Sequence, residues 1–382
     1  MTLYGLEESA TMPTDTTGFT LGIEEEYLIV DPETRELDSA AARVLPRAQR
    51  VLGEQIQPEL QLSQVESVSP VCHSLAEIRQ SLIQQRRSLI EATAAIDKKL
   101  AATATHPFSH WSDQQVHPKE RYQSLLREFR QLAREQGIQG CHVHVGFPDP
   151  ERAHSVFSRL RGWLTPLLAL TANSPFWLGE DSGYASFRTE VWMRWPLSGP
   201  PPAFASLEEY RELVQSLVSV KGIEDATKIY WDLRLSERYP TIEFRVADVC
   251  LTVDEAVMMA GLARALVRTC DEQAQQDTPF THIHQELLRA AHWRAARYGL
   301  DGELVDVHTR EVVPAPELVE RLMTLVRPAL EAEGDWDEIS ALVQQTLRQG
   351  NGASRQRAVY QRTGDMFALV DFIINETACG VL

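Results

Sequence analysis

Four short stretches carry side chains of the kinds that bind metals and anions. They are Leu21-Gly-Ile-Glu24-Glu-Glu26-Tyr27, Pro58-Glu59 through Val65-Glu66, Gly140-Cys-His142-Val-His144-Val-Gly146, and Thr241-Ile-Glu243-Phe-Arg245-Val246. Successive side chains of a β-strand point to opposite faces, so residues two apart share one. Read as strands, these stretches put Glu24 with Glu26, His142 with His144, and Glu243 with Arg245. Ile23 and Tyr27, the Cys141/Val143/Val145 set and the Ile242/Phe244/Val246 set cover the other side. A half-buried strand ordinarily leaves an undistinguished polar side in water. Here that side is carboxylate, imidazole and guanidinium, the groups that hold divalent cations and phosphates.

Each stretch also has a plain structural reading: a solvated acidic edge, two core histidines, or a surface ion pair worth little. Their joint occurrence favours an enzyme. Mainly carboxylate ligands with a histidine suit Mg2+ or Mn2+ better than a closed zinc site. Such ions commonly neutralise phosphates during phosphoryl transfer, with arginine completing the clamp. The chain has no Walker loop, kinase loop or dinucleotide glycine fingerprint. A bound nucleotide would have to be held by carboxylates and metals, without a glycine cradle.

The elements around these stretches read mostly as helices. Ser74-Leu-Ala-Glu77 is a capping box before apolar residues at helical spacing from Leu75 to about Ala102. Further helices are predicted over about 118–135 and 150–172, the latter kinked or broken at Pro166. Ser206-Leu-Glu-Glu209 and Thr252-Val-Asp-Glu255 cap two more. The segment 173–205, rich in aromatic residues, glycine and proline, reads as a long irregular stretch of the kind that often serves function. Tryptophans 177, 192 and 195 within it read as loop packing. From about Thr281 the chain looks helical, interrupted by a glycine-rich run at 349–357, with a last helix near Asp365 to Cys379.

The 382 residues could make one large domain or two. The site motifs run from Glu24 to Arg245 with no clear linker, so one catalytic domain over 19–382 is expected, after a flexible segment at 1–18. With 43% hydrophobic and 24% charged residues the composition is globular. A net charge of −17 argues against nucleic acid or an anionic membrane as partner. Cys72, Cys141, Cys250, Cys270 and Cys379 form no CxxC pair and read as free thiols rather than a disulfide framework. The N-terminus lacks a basic region before an apolar run, and no apolar run approaches the ~20 residues needed to span a bilayer. Cytoplasmic placement is the expectation.

Taken together the motifs resemble the carboxylate–amine ligases of the glutamate–cysteine ligase type 2 family, in the glutamine-synthetase-like superfamily. The resemblance runs from about Phe19 to Ala378. Beyond the four stretches it is carried by Asn173-Ser-Pro, Asp181-Ser-Gly-Tyr-Ala-Ser-Phe-Arg188, Tyr230-Trp-Asp-Leu-Arg234, Arg294-Ala-Ala-Arg-Tyr-Gly-Leu300 and Gly352-Ala-Ser-Arg-Gln-Arg357. It implies an α+β fold, a curved antiparallel sheet backed by helices with the active site on its concave face. It implies ATP as co-substrate and two or three Mg2+ or Mn2+ ions, held by Glu24, Glu26, Glu59, Glu66, His142 and Glu243. Glu59 and Glu66 are seven apart, so a bulge or a loop position for Glu59 is needed to bring them to one face. Arg245 is the implied contact of the transferring phosphate and His144 a polar neighbour of the metals. Arg188, Arg194, Arg234, Arg294, Arg355 and Arg357, with Arg238, are implied contacts of ATP or substrate, the 355/357 pair on a loop closing over ATP. The implied reaction joins a carboxylate, the γ-carboxylate of L-glutamate, to an amine such as L-cysteine through an acyl phosphate. Partners are then small molecules, and a homo-oligomer is expected.

Two other classes compete. A two-metal hydrolase of the amidohydrolase kind also uses His-x-His, but there the pair opens the first barrel strand and later histidines complete the site. Here it follows two carboxylate segments, and His282 and His284 lie on a helix-like run. A non-catalytic binding protein would have no need of the intact set of carboxylates and arginines.

Overall fold

The computed structural model describes residues 18–147, 149–236 and 239–382. The expected N-terminal segment, apart from Gly18, and Arg238 lie outside the described residues. Seven strands form the main sheet: β1 Leu21–Val30, β2 Ile56–Pro58, β3 Gln64–Val68, β4 Lys99–Ala101, β5 Gly140–Gly146, β6 Leu233–Leu235 and β7 Thr241–Asp248. They lie in the order β6-β7-β5-β1-β3-β2, with β4 also on β1, and every pairing is antiparallel. The architecture is α+β, an open sheet backed by helices, as the sequence leads one to expect. An antiparallel open sheet is not the parallel barrel the hydrolase reading needs.

Alternation decides which face is which. Leu21, Ile23, Cys141, Val143, Val145, Ile242, Phe244 and Val246 are buried in one cluster with the helix Val253–Gln275. That helix starts at a full capping box, with Thr252 accepting from Glu255 N–H and the Glu255 carboxylate accepting from Thr252 N–H. Large-to-small changes in such a cluster cost about 3–5 kcal/mol for phenylalanine. The odd member of the acidic run goes the same way. Glu25 points to the back, where Arg86 grips it through Nη2 at 2.6 Å and Nε at 3.1 Å. Tyr27 donates to the same carboxylate, and Arg86 also caps the carbonyls of Cys250 and Leu251.

Several elements differ from the sequence expectation, each for a local reason. The helix from Leu75 stops at Ala94, and the apolar residues beyond it form β4. The 118–135 segment is two helices, Glu120–Phe129 and Gln131–Arg134, parted at Arg130, whose φ is 52°. Over 150–172 the break is a 3-10 turn at Arg161–Trp163; Pro166 falls in the first turn of the next helix, where a missing N–H is harmless. The stretch read as irregular contains the helix Phe187–Trp192. A hairpin, Glu303–Asp306 with Glu311–Pro314, interrupts the C-terminal helices. The glycine-rich run is a helix from Gly352 to Thr363, capped by the Asn351 side chain, with only Gly350 left to make the turn. Cys72, Cys141, Cys250 and Cys270 are buried free thiols, and Cys379 is an exposed one. Among the described residues no helix is long and apolar enough to cross a membrane.

Candidate active site

Register brings the polar residues together. Glu24 lies across from His142, Glu26 across from Glu66, and Glu243 across from both His144 and Arg234. His142 Nδ1 is 3.0 Å from Glu24 Oε2, and His144 Nε2 is 3.3 Å from the other Glu24 oxygen. Glu26 accepts the N–H of Gly140 at 2.7 Å. Glu59 follows β2 in the loop before β3, where the Leu60 N–H holds its carboxylate, so no bulge is needed to reconcile it with Glu66. Gly140 has a steric reason: a Cβ there would stand 2.6 Å from Arg188 Nη2 and 3.0 Å from His142 Nε2.

The electrostatics divide this face into two halves. Burial, then the Glu59 carboxylate, pushes Glu26 up to about 8. Burial and the surrounding carboxylates also raise Glu66 far above its ordinary range, and burial raises Glu59. On the other half burial works against the charge of Glu243, but Arg245 and Arg234 outweigh it and hold the group near 2. Glu24 is likewise drawn down against burial by hydrogen bonds from His142 and His144. Burial and Arg245 lower His142 to about 4, leaving a neutral imidazole at neutral pH.

Among the described residues two triads have ligand atoms within 4.8 Å of one another: Glu24, His142 and Glu243, and Glu26, Glu66 and His142. They share His142. Three half-buried carboxylates, Glu26, Glu59 and Glu66, crowded together with too little positive charge form a donor set that a hard divalent cation would satisfy. Glu59 sits beside this set but belongs to neither triad.

A sequence model of the glutamate-cysteine ligase family 2 matches residues 20–371. The chain belongs to this family. A relative in Frankia alni, named "Putative glutamate–cysteine ligase 2-2", is 46% identical over 372 residues, 94% of this chain and 97% of the relative. A family 2 relative in Rhodopirellula baltica is 43% identical over 363 residues, 94% and 96% of the two chains. Among solved structures, a glutamate–cysteine ligase from Francisella tularensis in complex with AMP has a TM-score of 0.72 at 12% identity, over 95% of this chain and 88% of that one. A bifunctional glutathione synthetase from Pasteurella multocida gives 0.70 at 16%, over 94% of this chain and 52% of that one, so this chain spans about half its length. At those identities the likeness carries the fold. Family membership makes carboxylate–amine ligation the class of chemistry to ask of this face.

The arginines of this family member separate into two groups. Arg245 pairs with Glu243, and both Arg245 and Arg188 lie over Trp192, their Cζ atoms 5.7 and 6.0 Å from its ring. Arg234 spends its donors on Glu243 and the carbonyls of Thr227 and Ile229. The others are engaged elsewhere: Arg194 with Glu135, Arg294 with Glu303, and Arg357 with Asp181 and the Tyr184 carbonyl. Arg355 bridges Glu255 and Glu376 beside a hollow that Arg79 also lines. Neither Arg355 nor Arg357 is on a loop, since the Asn351 cap carries both into the helix. Trp192 and Trp195 pack in an apolar cluster with Tyr122 and Ile138, and Trp177 packs against it; Trp192 does so from the helix Phe187–Trp192 rather than from a loop.

Three further groups lie outside the residues that the sequence marks. Asp232 and His292 form a buried pair, Oδ2 to Nε2 at 3.1 Å, and the charges of Arg188 and Arg245 act on Asp232. Asp248 ends β7 as a buried carboxylate. Arg121 is an exposed guanidinium whose field reaches Glu59 and Glu66. Asp232 sits inside Tyr230-Trp-Asp-Leu-Arg234, so its motif was visible; His292 and Arg121 sit on helices with no local pattern to mark them.

Proposed function

We propose that the protein is an ATP-dependent ligase joining the γ-carboxylate of L-glutamate to an amine, L-cysteine being the first candidate. The observation that carries this reading is the pair of carboxylate triads sharing His142 on one sheet face, flanked by Arg245 and Arg188. Either triad would hold one Mg2+ or Mn2+ ion through the single unprotonated nitrogen of a neutral His142, and the carboxylates of the other triad, with Glu59 beside them, would be left to a second. When bound, such ions neutralise phosphate charge and orient the triphosphate.

A carboxylate is a poor acyl donor. In this reading its oxygen attacks the γ-phosphorus of ATP, ADP leaves, and a γ-glutamyl phosphate forms. The amine then attacks the acyl carbon, and inorganic phosphate leaves as the amide forms. Arg245 stabilises charge on the transferring phosphoryl group from a fixed, Glu243-braced position. Arg188 and His144 are the remaining polar groups at this face offered to substrate or ATP. The helix Phe187–Trp192 and its flanking loop exclude water, which protects the acyl phosphate from hydrolysis. All of this belongs to one catalytic domain from residue 19 onward.

The test is ADP release with Mg2+, ATP and L-glutamate, with and without a panel of amines including L-cysteine, repeated on Glu243→Gln. Amine-dependent release abolished by the substitution supports the ligase and names its acceptor. No ATP turnover with any carboxylate–amine pair, despite tight metal binding, overturns it.

A further inference from the structure

We propose that Asp248 positions Arg188 as an oxyanion-binding group, acting through the hydroxyls of Ser174 and Ser186. Asp248 is fully buried at the end of β7. Its Oδ2 accepts the Ser174 hydroxyl and the Asn173 N–H, each at 2.7 Å, and its Oδ1 accepts the Ser186 hydroxyl at 2.7 Å. A serine hydroxyl has one proton. Because the carboxylate takes it, the lone pairs of each oxygen are turned to the backbone. Ser174 Oγ then accepts the N–H of Arg188 at 3.1 Å, and Ser186 Oγ accepts the N–H of Thr189 at 3.3 Å. These are otherwise unsatisfied donors at the start of the helix Phe187–Trp192. One buried carboxylate thus fixes the turn that carries Arg188.

The loop is clamped from its other side as well. Gln356 donates to Asn173 Oδ1 at 2.7 Å, and a Cβ on Gly352 would stand 2.2 Å from that oxygen. This accounts for two family-like motifs, Asn173-Ser-Pro and Gly352-Ala-Ser-Arg-Gln, that place no side chain in the metal-type triads.

What is held so firmly is a cation with spare capacity. Arg188 is 3% exposed, forms no ion pair among the described residues, and has an Nε without a partner. Among the described residues its Nη2 donates only to the Arg245 carbonyl, at 3.2 Å, and reaches beside His142. Its charge acts on Glu26, Asp232 and Asp248 without a direct ion pair to any of them, and its idle donors remain costly until an anion meets them. Arginine's planar fork suits a carboxylate or a phosphate. In the ligase reading, on which this choice of ligands rests, the oxyanion is the substrate carboxylate or an ATP phosphate.

The test is a double-mutant cycle on binding. Mg2+·ATP and L-glutamate are titrated separately, by calorimetry, into wild type, Asp248→Asn, Arg188→Ala and the double variant. Asp248→Asn should weaken one of the two ligands by ~10-fold or more, and that ligand names the oxyanion. In the Arg188→Ala background the same change should add less than 2-fold, while Asp248→Asn alone leaves Mn2+ affinity within 2-fold of wild type. Ser186→Ala, which removes one of the three bonds, enters the same cycle should Asp248→Asn not fold. Equal losses with and without Arg188, or folded variants that bind like wild type, overturn the proposal. Wild type that binds a ligand but makes no amide sinks the ligase reading alone; binding of neither ligand sinks both.

Discussion

Arg234 grips Glu243 through two nitrogens on one oxygen, Nε at 2.9 Å and Nη2 at 2.7 Å from Oε2. The two residues face each other across β6 and β7, so strand register alone sets the contact. The grip leaves Oε1 to Arg245 and fixes where the carboxylate points. Arg234 therefore acts on Glu243 rather than reaching for ATP. Arg234→Lys keeps the charge but loses the two-nitrogen fit. We expect Mn2+ affinity or ligase kcat to fall by roughly 10- to 100-fold, the usual scale for a partner that orients a metal ligand. Equal Mn2+ titrations of variant and wild type would count against it.

The shared imidazole makes a sharper test. His142 belongs to both triads, whereas Glu66 belongs to one. His142→Ala should abolish tight Mn2+ binding altogether, read as free-ion signal by electron paramagnetic resonance. Glu66→Gln should leave one ion bound. A His142→Ala protein that still binds the full complement would show that the triads are not the metal sites. In the wild type, chelation by EDTA should stop ADP release, and Mg2+ should restore it.

On the back of the same strand, Glu25 and Arg86 are both fully buried and bonded to each other. Arg86→Met leaves the carboxylate in the core without its cation, at an expected cost of about 3–5 kcal/mol. Converting Glu25 to Met as well removes the stranded charge, and much of that loss should return. Urea denaturation of the two variants would decide, and a double variant no more stable than the single one would refute this account.

The contrast between Glu25 and its neighbours shows what could be read in the sequence. Alternation assigned Glu24, Glu26, His142, His144, Glu243 and Arg245 to one face, and register assembles them there. Period-2 patterning is local, so a strand's faces are visible in a few residues. What each cation would pair with was not visible, because ion pairs such as Arg355–Glu255 join residues about a hundred positions apart. The arginines of family-like motifs accordingly read as ligand contacts, while several are spent on the fold. Asp248 is invisible for the same reason: its partners Ser174 and Ser186 come from another segment, and no spacing rule links them. Helix ends depart from apolar periodicity where a positive φ, as at Arg130, or a 3-10 turn overrides it.

A buried histidine away from the site supplies a pH signature. His106 Nε2 donates to the Arg35 carbonyl, and its Nδ1 accepts the N–H groups of Phe108 and Ser109. Both nitrogens are committed with the ring neutral, and burial lowers the group to about 3, against the partial opposition of the Arg35 carbonyl. In the unfolded chain it titrates near 6.5. Between those values the unfolded state binds the extra proton, so stability rises with pH and falls as pH drops below about 6.5. Each unit through the middle of that window should remove about 1.4 kcal/mol from this group alone. His106→Gln cannot take up that proton. Its stability at neutral pH will be lower, but its slope between pH 6 and 4.5 should be shallower than wild type by close to one proton, other groups cancelling in the difference. Denaturant titrations of both proteins across that range measure the slopes, and parallel curves would mean that His106 is not held neutral in the fold.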